Sequence, residues 1–215
     1  GGGFQIFNEH SVKFKNYQSN PFENTSLNDN DIWAVNEYNG NLLLGTSSGG
    51  LNILDPINAN ARAFTHSQNN ANSVSNNFVC SAVPDKAGNF WLATRGGGIS
   101  IYNPSTNSFS TLKHDAENPN SLSGDNIYTL FLDSYNTFWI GTINKGLNLY
   151  DINSKQFKRY KHQPNNPKSI GSNGVVNIFE DSKNNAVWFL ASQIFFKTTL
   201  QTLLNYAEWF LASQI

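Results

Sequence analysis

Phe90 to Tyr102 reads FWLATRGGGISIY, and this stretch decides the fold because it recurs. A later copy is TFWIGTINKGLNLY, Thr137 to Tyr150, and an earlier one is NLLLGTSSGGLNIL, Asn41 to Leu54. Its second half opens the chain as GGGFQIF, Gly1 to Phe7, and its first half returns as AVWFLAS, Ala186 to Ser192. Trp91 and Trp139 are 48 residues apart, Trp139 and Trp188 are 49, and Gly50, Gly98 and Gly146 follow one another at 48. Self-similarity at a constant interval of about 40–50 residues marks a repeat architecture.

Working outward, each repeat reads as four short strands, a to d. Strand a is an apolar run (Ile32 to Val35, Phe78 to Val83, Ile127 to Leu132, Val175 to Phe179), which predicts an innermost strand buried on both faces. A turn follows at Asp85-Lys86-Ala87-Gly88, Asp133-Ser134-Tyr135-Asn136 and Asp181-Ser182-Lys183-Asn184. Its Asp is suited to accept from N–H groups two residues on, and Gly or Asn tolerates positive φ at the fourth place. Strand b carries Trp91, Trp139 or Trp188, expected to pack between repeats, with Leu43 as the variant. Strand c alternates, as in Leu51-Asn52-Ile53-Leu54 and Leu147-Asn148-Leu149-Tyr150, predicting one packed and one wetter face. Gly50, Gly98 and Gly146 precede strand c, where a turn with positive φ or a close backbone approach would demand glycine. Strand d has anchors three apart (Phe14 and Tyr17, Phe109 and Leu112, Phe157 and Tyr160), and a polar Asn/Pro/Ser link leads to the next repeat.

Four strands per repeat, with an apolar inner strand, predict an all-β chain: a β-propeller of four-stranded antiparallel blades. Residues 27–66, 74–114 and 122–162 make full blades; residues 1–17 supply strands c and d of a partial blade, and 170–191 supply strands a and b of another. The two partial blades would either close a small four-bladed ring or mark an arc of a larger propeller, with the arc favoured. Residues 192–215 form an irregular or helical tail, with Phe196, Leu200, Leu203, Leu204, Ala207 and Leu211 at helical spacing. Within it WFLASQI, Trp188 to Ile194, is repeated letter for letter at Trp209 to Ile215.

Composition narrows function. A formal net charge of −1 gives no electrostatic case for nucleic acid or an anionic membrane. The basic run Lys158-Arg159-Tyr160-Lys161 reads as a solvated face. The single cysteine, Cys80, excludes an intrachain disulfide and falls in a buried strand, where it would be inert. No run of about 20 apolar residues is present. A chain that opens mid-repeat at Gly1 and contains no Met reads as a segment of a longer protein, so a targeting sequence or anchor could lie outside it.

Asn118-Pro119-Asn120-Ser121-Leu122, Asp133, Trp139-Ile140-Gly141-Thr142, Gly146-Leu147 and Tyr150-Asp151 together resemble the two-component regulator propeller repeat. The likeness extends in successive copies over residues 1–191, departing at Leu43, at the Gly missing before Gly146, and at Leu190-Ala191. The resemblance implies the extracytoplasmic, periplasmic sensor of a membrane-bound signalling receptor, often a hybrid sensor kinase responding to glycans. It implies a small-molecule or oligosaccharide ligand, and as partners the remaining propeller, transmembrane and transmitter domains of the receptor. It leaves room for a homodimer and calls for no cofactor.

Candidate sites follow from departures against the repeat. His66, His114 and His162 stand 48 apart but on diverging blades, too far to share a metal at ~2 Å; each is expected to order its own loop. Asp85, Asp133 and Asp181 give one carboxylate per blade, whereas acid/base hydrolysis needs two within about 5–9 Å. Arg95 replaces Ser47 and Ile143 at matching positions. The b-to-c loops share a rim with the d-to-a loops, so Arg95, Asn144, Lys145, Ser47 and Ser48 are expected to gather there. Trp33, just before an inner-strand run, would stack on a sugar or pack in the core. A ligand-binding sensor is thus the leading reading; a propeller hydrolase or lyase, or an interaction scaffold, are the alternatives.

Overall fold

The computed structural model describes residues 4–8, 11–181, 183, 186–191 and 208–212. Three complete four-stranded sheets follow one another. The first holds β3 (Ile32–Tyr38), β4 (Asn41–Thr46), β5 (Leu51–Asp55) and β6 (Asn60–Phe64). The second holds β7 (Val79–Pro84), β8 (Phe90–Thr94), β9 (Gly98–Asn103) and β10 (Ser108–Leu112). The third holds β11 (Ile127–Leu132), β12 (Thr137–Thr142), β13 (Leu147–Asp151) and β14 (Gln156–Tyr160). Each is an antiparallel meander with neighbours in chain order, the a-b-c-d pattern of a β-propeller blade. Among the described residues the hairpin β1 (Phe4–Asn8) and β2 (Ser11–Tyr17) pairs with no other strand, and β15 (Val175–Asp181) pairs with β16 (Ala186–Ala191).

A sheet with two apolar faces must bury both, and here each blade does so against its neighbours. One core joins Leu43 and Leu51 of the first blade to Leu92 and Tyr102 of the second. The next joins Trp91 and Ile99 of the second blade to Phe138 and Ile140 of the third. A third sets Trp139 and Leu147 against Ile178 and Phe189, and a fourth sets Tyr17 against Leu44 and Leu54. The innermost strands β3, β7, β11 and β15 pack side by side in that order. Strand d anchors three apart point to opposite faces, so Phe109 joins the core before its blade and Leu112 the core after it.

The Asp turns form as the residue pattern requires. Asp85 Oδ1 accepts from the N–H groups of Ala87 (2.9 Å) and Asn89 (2.8 Å), and Asp133 Oδ1 accepts from that of Thr137 (2.8 Å). The fourth turn residues, Gly88 and Asn136, have φ of +83° and +68°. The other carboxylate oxygen accepts from an indole Nε1–H: Trp91 to Asp85 at 2.9 Å and Trp139 to Asp133 at 2.8 Å. Turn and buried tryptophan are therefore one hydrogen-bonded unit.

Four expectations are corrected. Inner strands are not buried on both faces: Val35 is 57% exposed and Phe179 64%. Val35 pairs with Leu44 on one face, and only Leu44 is covered by the hairpin residue Tyr17. The polar side of strand c is not wetter, since Asn52, Ser100 and Asn148 are fully buried. Each bonds the chain that enters its own blade, as in Ser123 N–H to Asn148 Oδ1 (2.9 Å) and Asn148 Nδ2–H to Ser123 Oγ (2.9 Å). Nor is the basic run only solvated, because Arg159 Nε donates to Ser121 O (2.9 Å) and Nη2 to Ser121 Oγ (2.9 Å). Lastly, within the stretch expected to be irregular or helical, Glu208–Ala212 is a strand, β17, antiparallel to β16. Phe196, Leu200, Leu203, Leu204 and Ala207 lie outside the described residues.

No described strand joins the two ends of the chain in one sheet: β1 pairs with β2, and the free edge of β16 is taken by β17. The described residues form an arc of blades.

Candidate functional site

The rim is built from hydrogen bonds between the b-to-c turn of one blade and the chain entering the next. Gly50, Gly98 and Gly146 donate their N–H to Asn77 O, Asp125 O and Asn173 O at 2.9, 3.0 and 2.8 Å. All three have positive φ, and a Cβ on Gly146 would stand 2.1 Å from Tyr160 O. Both reasons for glycine thus apply at once. The histidines hold the same loops: the Nδ1 atoms of His66, His114 and His162 lie 2.8, 2.7 and 2.8 Å from the carbonyls of Val74, Leu122 and Ile170. They occupy three separate loops, and no group of acidic, His or Cys side chains among the described residues could hold a metal.

Each inner strand begins with a β-bulge. The register shifts between Ile32 and Ala34, Val79 and Ser81, Ile127 and Thr129, and Val175 and Asn177. The extra residues are Trp33, Cys80, Tyr128 and Val176. A bulge re-aims its side chain out of the strand's alternation, and such devices gather at barrel rims and sites. Trp33 is 42% exposed as a result. Cys80 turns inward, its Sγ 3.1 Å from Ile127 O, and burial pushes the thiol up to about 12, so it stays protonated and unreactive.

Arg95 follows β8 and is half-buried. Its guanidinium lies 4.2 Å from the Phe78 ring centroid, 4.9 Å from Trp33 and 5.7 Å from Tyr128. Rings from three consecutive blades therefore surround one cation, and Trp33 and Phe78 meet edge-on at 4.9 Å. Arg95 Nε is buried without a hydrogen-bond partner. Trp33 also borders a cleft of about 420 Å³ between the inner strands, with Val35, Ser81, Val83, Leu130 and Phe131 among its walls. That volume lies within the range of small-molecule sites.

Of the residues singled out in the sequence, the fold brings Arg95 and Trp33 together. Among the described residues no hydrogen bond, ion pair or ring contact joins them to Asn144, Lys145, Ser47 or Ser48. Ser47 and Ser48 are held within their own blade: the Ser48 N–H and Oγ–H both donate to Asp29 Oδ2 at 2.8 Å. Partial burial pushes the Asp29 carboxyl up, but hydrogen bonds from Asp31, Ser48 and Ser47 outweigh it and hold the group below its ordinary range. Lys145 lays its alkyl chain over Gly124, leaving no room for a Cβ there. Asn144 is exposed. Phe78 and Tyr128 were not foreseen. The signal was present, since Trp33, Cys80, Tyr128 and Val176 occupy one repeat position with four unlike residues.

Fold and rim together define a β-propeller segment with a cleft between its inner strands that Trp33 borders. Residues 121–144, which hold β11 and β12 of the third blade, match the family described as two component regulator propeller. No curated protein matches the chain. Among solved structures it resembles the extracellular domain of a putative hybrid two component system from B. thetaiotaomicron, at 24% identity and a TM-score of 0.69, covering 87% of this chain and 23% of that one. It resembles that of a second such system from the same organism at 20% identity and 0.66, covering 76% and 22%. PorZ, a surface component of the type-IX secretion system of Porphyromonas gingivalis, matches at 17% and 0.56, covering 78% and 24%. The chain spans under a quarter of the length of each, and these likenesses establish the fold.

Proposed function

We propose that this chain is a ligand-sensing segment of the extracytoplasmic propeller of a membrane-bound, two-component-type receptor. In this reading it binds a glycan or similar small solute at the rim end of the inner-strand cleft. The observation that carries it is Trp33, an indole that a bulge leaves 42% exposed beside a cleft of about 420 Å³. An exposed indole face suits the C–H face of a sugar ring, its apolar surface removed from water on stacking. The family repeat and the receptor domains with this fold support the signalling context. The remaining propeller, membrane and transmitter domains of a full-length receptor would be its partners. The buried carboxylates Asp85 and Asp133 are engaged by turn N–H groups and an indole each, which favours binding over hydrolysis.

A thermal-shift screen against oligosaccharides tests this. A ligand at about a hundredfold its Kd adds about 2.7 kcal/mol, or about 5–10 °C in Tm for a chain of this size. That shift is expected to vanish in Trp33→Ala. If no glycan moves the midpoint, the reading fails.

A further inference from the structure

From the cage around Arg95 we infer that the solute bound at this rim carries an anionic group, a carboxylate or a sulfate ester, next to the ring that meets Trp33. This deepens the reading above and rests on it. The guanidinium carbon lies over the Phe78, Trp33 and Tyr128 rings at 4.2–5.7 Å from their centroids, so its position is fixed by three blades. What a stacked guanidinium has left to offer is its N–H edge, and Arg95 makes no ion pair or side-chain hydrogen bond with any described residue. The contrast with Arg159 is informative, since that side chain spends its N–H groups on Ser121, Asn118 and Leu122. A planar fork held in place, with donors unspent, matches the two oxygens of a carboxylate or sulfate. Rings and N–H donors at one point favour a ligand that is itself amphipathic, apolar on a ring face and charged at its edge. The matching positions in the neighbouring blades are Ser47 and Ile143, so the charge is specific to this place in the arc.

The experiment titrates the full chain with three probes, followed by tryptophan fluorescence and calorimetry: a galacturonic acid trisaccharide, a sulfated heparin disaccharide and neutral maltotriose. An acidic probe is expected to bind at least about tenfold more tightly than maltotriose. Its affinity should fall severalfold on going to about 0.3 M salt. Arg95→Gln should lose that advantage, and Arg95→Lys, which keeps the charge without the fork, should fall between. The carboxylate and sulfate arms separate the two sources of anion. If maltotriose binds as well as both acidic probes, or if a folded Arg95→Gln protein binds an acidic probe unchanged, the inference is overturned while glycan sensing stands. Should Arg95→Gln fail to fold, the acid-to-neutral ratio and its salt dependence in the unaltered chain decide. Binding of no probe overturns the inference, and the wider screen above then judges the sensing reading separately.

Discussion

Asp29 shows how a carboxylate near a candidate site can be occupied by structure. It accepts from the Ser48 N–H and Oγ–H at 2.8 Å each and from Ser47 Oγ at 3.3 Å. These bonds lower its folded pKa, so the group favours the folded state above its unfolded pKa of about 4. That contribution is lost as pH falls through the lowered folded value. Thermal melts of the unaltered chain and Asp29→Asn should therefore converge as pH drops below about 4 and differ at pH 7. A constant difference across that window would refute the assignment. Of the other site residues, Arg95 was legible as a departure from its repeat. Its cage was not, because Phe78, Trp33 and Tyr128 lie 17, 62 and 33 residues away along the chain.

Strands, turns and their punctuation were readable because each is a local matter. An Asp four or five residues before the strand that carries the indole, an Asn or Gly in the fourth turn place and an alternating strand c need no distant partner to be recognised. The rim glycines are an element-scale constraint that the chain also advertises. Gly146→Ala places a Cβ at φ +88° and 2.1 Å from Tyr160 O, so the d strand must move. Gly40→Ala meets only the positive φ of +79°, with open space around it. The Gly40 variant should lose about 1–2 kcal/mol and Gly146→Ala clearly more, as measured by urea denaturation. Equal losses would show that the close approach at the rim matters little. What local reading could not give was the bulge at the start of each inner strand. A bulge is defined by the partner strand's register, and the partner is at least 11 residues off, as in Ala34 and Gly45.

At the scale of the molecule, stability depends on blades covering one another. Trp91 lies 4.2 Å from Phe138 and 5.4 Å from Tyr150, both in the following blade. Trp188 holds the corresponding strand position and pairs with Phe179, yet it is only half-buried and Phe179 is 64% exposed. Trp91→Ala should cost roughly 3–5 kcal/mol. Trp188→Ala should cost well under half of that in this chain, by the same denaturation measurement, because less contact is lost. Matching losses would mean that Trp188 is covered as Trp91 is. The constant interval, the apolar inner runs and the Asp-to-Trp turns by themselves determined a propeller of four-stranded blades, since each rests on short-range patterning of backbone and burial. Only the tertiary structure decided that the described blades make an arc, that strand c buries its asparagines, and that three rings from three blades close on Arg95. Those features depend on which surfaces meet across repeats, and contact between residues far apart in the chain is settled by packing.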